Sequence, residues 1–118
     1  EVRVDSVLRL EKIDRSFYNR MALLEPFGAE NPVPCFLSQA VKLQEVKLIG
    51  KDKNHIRFRA KQGKGQVEGV GFGLAEVLES VDVTTELFDI AYEFNLNTWN
   101  GREKLEIKLV DIRLAEKP

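Results

Sequence analysis

A small, mainly β barrel of five strands, with a short helix between the third and fourth, is the fold this sequence predicts. Three observations predict it. From Leu37 onward apolar residues recur at every second position, the period of a strand with one buried face. The runs are punctuated by turn signals, Gln62-Gly63-Lys64-Gly65 and Asn100-Gly101. The first and last runs each slip phase once, at Gln44-Glu45 and at Val110-Asp111. A slip of that kind is how a β-bulge reads in sequence, and it lets a long strand bend around a small barrel. With 118 residues, 43% of them hydrophobic and 31% charged, the chain has the length and balance of one globular domain.

The elements follow in order. Asp14 or Ser16 is placed to cap a helix, and Phe17, Met21 and Leu24 recur at helical spacing, so a helix is expected over about Arg15 to Leu24. It stops at Glu25-Pro26, because the residue before a proline is pushed out of the helical region. The stretch from Pro26 to Phe36 holds three of the four prolines and reads as a packed, irregular connector that must cover Phe27 and Phe36. The first strand then carries Val41, Leu43, Val46 and Leu48 on its inner face. In the second, Ile56, Phe58 and Ala60 point inward, while His55, Arg57, Arg59 and Lys61 point outward. The third, Val67 to Leu74, contains Gly69, Gly71 and Gly73, which permit tight coiling or the close approach of another backbone. Phe72, in phase with Val70 and Leu74, is expected in the core, and a helix over about Leu74 to Ser80 follows. The fourth strand buries Phe88, Ile90, Tyr92, Phe94 and Leu96; the fifth buries Leu105, Ile107, Leu109, Ile112 and Leu114. This β-β-β-α-β-β order, behind a short N-terminal helix and a Pro-rich connector, is the layout of the OB-fold barrel. An SH3-like barrel, the main rival, has no natural place for the helix between strands three and four.

Several classes of function are excluded. No apolar run approaches the roughly 20 residues that cross a bilayer, so no membrane partner is expected. The charged start, Glu1-Val2-Arg3-Val4-Asp5, is unlike a signal peptide and lacks Met, which suggests a piece of a longer protein. One cysteine, Cys35, cannot form an internal disulfide, and with one histidine, His55, it cannot build a usual four-ligand zinc site. A reduced, cytoplasmic setting fits this usage. Nothing marks a catalytic centre. His55 has no acid or thiol at a telling spacing, Cys35 reads as a buried structural thiol, and Gly69-x-Gly71-x-Gly73 has neither phosphate-loop nor dinucleotide spacing.

The net charge of −1 hides an asymmetry. Lys47, Lys51, Lys53, Arg57, Arg59, Lys61 and Lys64 face Asp52 alone over 47–64, whereas 75–95 holds six acids and no base. The basic stretch coincides with the second strand and its two loops, the part of an OB barrel that receives single strands. Cations at every second residue stand about 6.6–6.8 Å apart, close to the phosphate spacing of an extended strand. Candidate nucleic-acid contacts are therefore Lys51, Lys53, His55, Arg57, Arg59, Lys61 and Lys64, joined at the last hairpin by Trp99, Asn100 and Arg102. Trp99 lies on the phase opposite the core, where it either stacks a base or folds over the barrel end or the N-terminal helix. Exposed strands are commonly polar in any case, so a second reading is a protein-interaction module docking through the acidic 75–95 segment. An oligosaccharide site is disfavoured by the scarcity of outward aromatic residues.

One segment carries a family resemblance. Leu24-Glu25-Pro26-Phe27-Gly28-Ala29-Glu30-Asn31-Pro32-Val33-Pro34-Cys35-Phe36 resembles the connector of the RecJ family of bacterial single-strand-specific DNA exonucleases, and Asn97-Thr98-Trp99-Asn100-Gly101 with Asp111-Ile112-Arg113 is similar to the last hairpin of that family's OB domain. The family commonly has glycine at the place of Glu30 and glutamine at that of Glu106. The resemblance implies that residues 1–36 are a helix and connector leading from a catalytic core outside this sequence, and that 37–118 are the OB domain. It implies no cofactor in this domain, divalent Mg or Mn in the parent enzyme's core, and single-stranded DNA and that core as partners. The implied parent degrades DNA from the 5′ end in repair and recombination in the bacterial cytoplasm.

Overall fold

A computed structural model describes residues 2–23 and 33–116. Its elements are β1 (Ser6–Val7), α1 (Arg15–Ala22), β2 (Phe36–Ile49), β3 (His55–Gln62), β4 (Gly65–Gly71), β5 (Phe88–Trp99) and β6 (Arg102–Leu114), with single 3-10 turns at Leu10–Lys12 and Ala75–Leu78. The strands run in the order β1-β2-β3-β4-β6-β5, and a β2–β5 pairing closes the last five into a barrel. No helix among the described residues is long and apolar enough to cross a membrane.

Both expected bulges are present. The β2–β3 register shifts between Gln44 and Lys47, where Glu45 takes a positive φ of 51°. On β6, Ala91 pairs with Asp111 but Tyr92 with Leu109, so Val110 is the extra residue. A further shift between Ser38 and Val41, with Ala40 at φ 55°, lets β2 leave β5 and join β3. Asn100 and Gly101 take φ 51° and 76° between the paired Trp99 and Arg102, a turn whose twist matches its strands. The barrel closes where β4 lies parallel to β6, and there Gly69 is required: an added Cβ would stand 2.6 Å from Ile107 Cγ1 and 2.8 Å from its carbonyl oxygen.

The core holds Val41, Ile56, Phe58, Ala60, Phe88, Ile90, Tyr92, Ile107 and Leu109, as alternation predicts. Phe17 and Phe36 join Phe94 in an aromatic cluster, with centroids 5.1 and 5.3 Å from it, so α1 seals one barrel end. Of the two candidate caps, Asp14 is the one that accepts from the Phe17 amide, at 2.9 Å. The helix ends at Ala22; Leu24 and most of the connector, Glu25 to Pro32, lie outside the described residues.

Four expectations are corrected. Phe72 is 55% exposed rather than core: the inward phase of β4 falls on Val67, Gly69 and Gly71, and Phe72 lies just past the strand on the other phase. Leu48 keeps its inward phase opposite Ile56 but stands near the strand end, 55% exposed. Leu114 is likewise 46% exposed at the end of β6. The helix at Leu74 to Ser80 shrinks to a 3-10 turn, and β4 ends at Gly71.

The N-terminal residues had given no strand signal, yet they enter the barrel. β1 runs parallel to the start of β2, and Leu10 is buried. Gln62, itself buried, accepts from the Leu10 amide at 2.7 Å and donates to the Gln39 carbonyl at 2.6 Å. Gly65 lies so close beneath that an added Cβ would collide with the backbone of Leu10 and Glu11.

Candidate nucleic-acid interface

Alternation along β3 sends His55, Arg57, Arg59 and Lys61 to the outer face, opposite Ile49, Lys47, Gln44 and Lys42 of β2 and beside Val70, Glu68 and Gln66 of β4. Lys51 and Lys53 sit on the exposed β2–β3 loop and Lys64 on the β3–β4 turn. The predicted cations thus share one face and its two borders. Asn100 and Arg102 are exposed on the β5–β6 hairpin; the backbone of Trp99 pairs there with Arg102, and its side chain lies outside the described ones.

Carboxylates from other strands reshape the charge of this face. Arg57 Nη1 lies 3.2 Å from Oε2 of Glu106, a buried β6 residue that Asn97 also approaches. Arg59 Nη1 lies 3.0 Å from Oε2 of Glu45 on the β2 bulge. Lys104 bonds Glu68, and that hydrogen bond holds the Glu68 carboxyl below its usual range. Lys47, Lys51, Lys53, Lys61 and Lys64 have no carboxylate partner among the described residues. The face is a mixed lattice with lysines at its margins.

At the β2–β3 loop end, the Gly73 amide donates to His55 Nδ1 at 2.7 Å, which in the neutral ring assigns the proton to Nε2. Gly50 packs on the same ring, since an added Cβ would stand 2.8 Å from His55 Cδ2. Phe72 meets His55 at a centroid distance of 5.3 Å, and Lys108 Nζ lies 5.9 Å from the centre of the Phe72 ring. Sequence reading missed Phe72, Lys104 and Lys108; the glycines at inward positions of β4 were the available signal for the first. A second feature is an open groove of about 630 Å³ between α1 and the barrel, which Arg15, Tyr18, Arg59 and Glu103 help to line.

No catalytic arrangement is found among these groups. Cys35 is buried, and burial with nearby Glu93 and Asp5 pushes its thiol up, away from reactivity. Among the described residues no group of three or more His, Cys, Asp and Glu side chains is disposed to hold a metal ion.

Residues 4–111 match the RecJ OB domain family. The chain belongs to that family. It is 32% identical over 113 residues to the single-stranded-DNA-specific exonuclease RecJ of Bacillus subtilis, a match covering 96% of this chain and 14% of that protein. It also superposes on RecJ of Thermus thermophilus in complex with Mn2+, with a TM-score of 0.66, 27% identity, and coverage of 99% of this chain and 16% of that one. A mitochondrial single-stranded DNA binding protein of Saccharomyces cerevisiae, Rim1, shares the fold at 13% identity and TM-score 0.54, covering 73% of this chain and 99% of Rim1. The chain therefore spans about a seventh of the length of its RecJ relatives. The Mn2+ belongs to the Thermus protein, and the residues described here offer it no site.

Proposed function

We propose that this OB domain binds single-stranded DNA and guides it toward the metal-dependent catalytic core of a larger single-strand-specific exonuclease, acting in repair and recombination in the bacterial cytoplasm. The observation that carries the reading is the outward row His55, Arg57, Arg59 and Lys61, bordered by Lys51 and Lys53 on one loop and Lys64 on the other. Such a row follows a sugar–phosphate backbone without reading bases, and its lysines release counterions as they do so. The B. subtilis relative carries single-strand specificity in its name, which favours this ligand over an oligosaccharide.

The test is a titration with a short oligo-dT across a salt series, read by anisotropy of the labelled strand and by emission of Trp99, the single tryptophan. A variant with Lys51, Lys53, Lys61 and Lys64 all changed to Gln is expected to bind weakly and to lose up to about three from the slope of log affinity against log salt. Equal affinity and slope in the two proteins, or no binding by either, would sink the proposal.

A protein-docking reading retains one specific observation. Val77 and Leu87 are 45% and 46% exposed within the acidic 75–95 segment, which carries no Lys or Arg. Pull-down by the catalytic core that survives the four-lysine change, in the absence of DNA binding, would favour it.

A further inference from the structure

The most exposed aromatic ring among the described residues is Phe72, and its setting is not that of a stray surface residue. It stands just past β4 on the outer face, with His55 against it and the Lys108 ammonium at its ring. The ring is held by two backbone constraints: the Gly73 amide is bonded to His55 Nδ1, and the Ala75 amide to the Asn54 carbonyl at 3.1 Å. These bonds join the Phe72 turn to the β2–β3 loop, which carries Lys51 and Lys53. A ring left 55% open, with His55 and the Lys108 ammonium beside it, offers a flat apolar face that a ligand could cover.

Resting on the strand-binding reading above, we infer that Phe72 is the platform on which a nucleobase stacks as the backbone passes along the β3 cation row. The occupant is decided by what surrounds the ring. The Lys108 ammonium lies at the ring, Lys51 and Lys53 stand on the loop bonded to its turn, and the His55 ring packs beside it, so cations are at hand for the phosphates of a stacked nucleotide. An apolar protein patch would have to strip water from these ammonium groups, whereas a nucleotide supplies both a flat π face and the anions they need. Stacking tolerates any base, so the platform adds affinity without adding sequence preference.

The experiment compares the unaltered chain, Phe72→Leu and Phe72→Trp in oligo-dT titrations at several salt concentrations. Leucine keeps the apolar bulk and removes the π face, so affinity is expected to fall by about tenfold. The salt slope is expected to stay unchanged, because no charge is lost. Phe72→Trp, made in a Trp99→Phe background, is expected to match the affinity of Trp99→Phe alone and to show quenched emission on binding. Affinity of Phe72→Leu within twofold of the unaltered chain would overturn the inference while leaving the cation row standing, and would hand the ring to a protein contact. A change in salt slope would also overturn it, by showing a disturbed cation row. Absence of binding by the unaltered chain would overturn the strand-binding reading and this inference together.

Discussion

Arg57 reaches across β4 to Glu106: the two residues sit on β3 and β6, which flank that strand, yet their side chains meet at 3.2 Å. Glu106 is 5% exposed and its carboxylate oxygens meet this guanidinium and Asn97, while Arg57 keeps nearly half its side chain in water. An arginine within the candidate cation row thus has a structural duty as well.

Arg57→Ala is therefore expected to destabilise the fold by about 2 kcal/mol, because it strands a buried carboxylate. Adding Glu106→Gln, the residue the RecJ family commonly carries there, is expected to recover most of that loss. Urea denaturation of the single and double variants measures the coupling. Additive losses would mean that the ion pair contributes nothing beyond its two members.

Gly69→Ala is expected to cost roughly 1–3 kcal/mol, since the new methyl would collide with the Ile107 side chain and backbone where the barrel closes. Gly65→Ala tests a different contact, the docking of the N-terminal turn, whose backbone at Leu10 and Glu11 lies under 3 Å from the new atom. Thermal melting orders the two effects, and amide exchange should show faster Leu10 exchange in Gly65→Ala alone.

Tyr92 gives a pH signature. It is wholly buried, its hydroxyl 2.7 Å from Ser38 Oγ, and burial pushes its pKa up to about 12 from an ordinary value of 10.0. The folded chain holds that proton more tightly than the unfolded one, so the associated stability is complete below pH 10 and is lost as the pH rises through about 12. The loss amounts to about 2–3 kcal/mol. Tyr92→Phe is expected to flatten this alkaline decline, as read by urea midpoints at pH 9 to 11.5; an unchanged decline would assign it to other groups.

Glu68 behaves oppositely. Its carboxyl is held low chiefly by the Lys104 hydrogen bond, so the contact contributes above the ordinary carboxylate value of 4.5 and fades as the pH falls below it. Lys104→Met is expected to raise the Glu68 pKa toward that ordinary value, a shift that carbon-detected NMR titration follows directly. A pKa that stays put would remove Lys104 as the cause.

The barrel was legible in sequence where one rule acted alone. Alternation placed Ile56, Phe58, Ala60 and Phe88 through Phe94, and Asn100-Gly101 announced its hairpin, because those signals are local. Phe72 was misread because alternation cannot tell which phase is inward when glycines fill it. The β1 pairing and the Gln62 clamp were invisible, since each joins residues far apart in the chain and neither needs a periodic pattern. The same limit applies to the interface. A window of charge over 47–64 finds the cations, but Glu45, Glu68 and Glu106 enter from outside it, and only the fold brings them in.

Those three carboxylates are counterions that cannot diffuse away. A polyanion laid along β3 would have to take Arg57 and Arg59 from partners that remain close by and ready to reclaim them, so much of each contact is an exchange rather than a gain. If the proposed strand binding holds, fewer small ions would be released than a tally of cations suggests, and each arginine contact would be an exchange between two close anionic partners. Under that proposal the grip would favour passage over arrest.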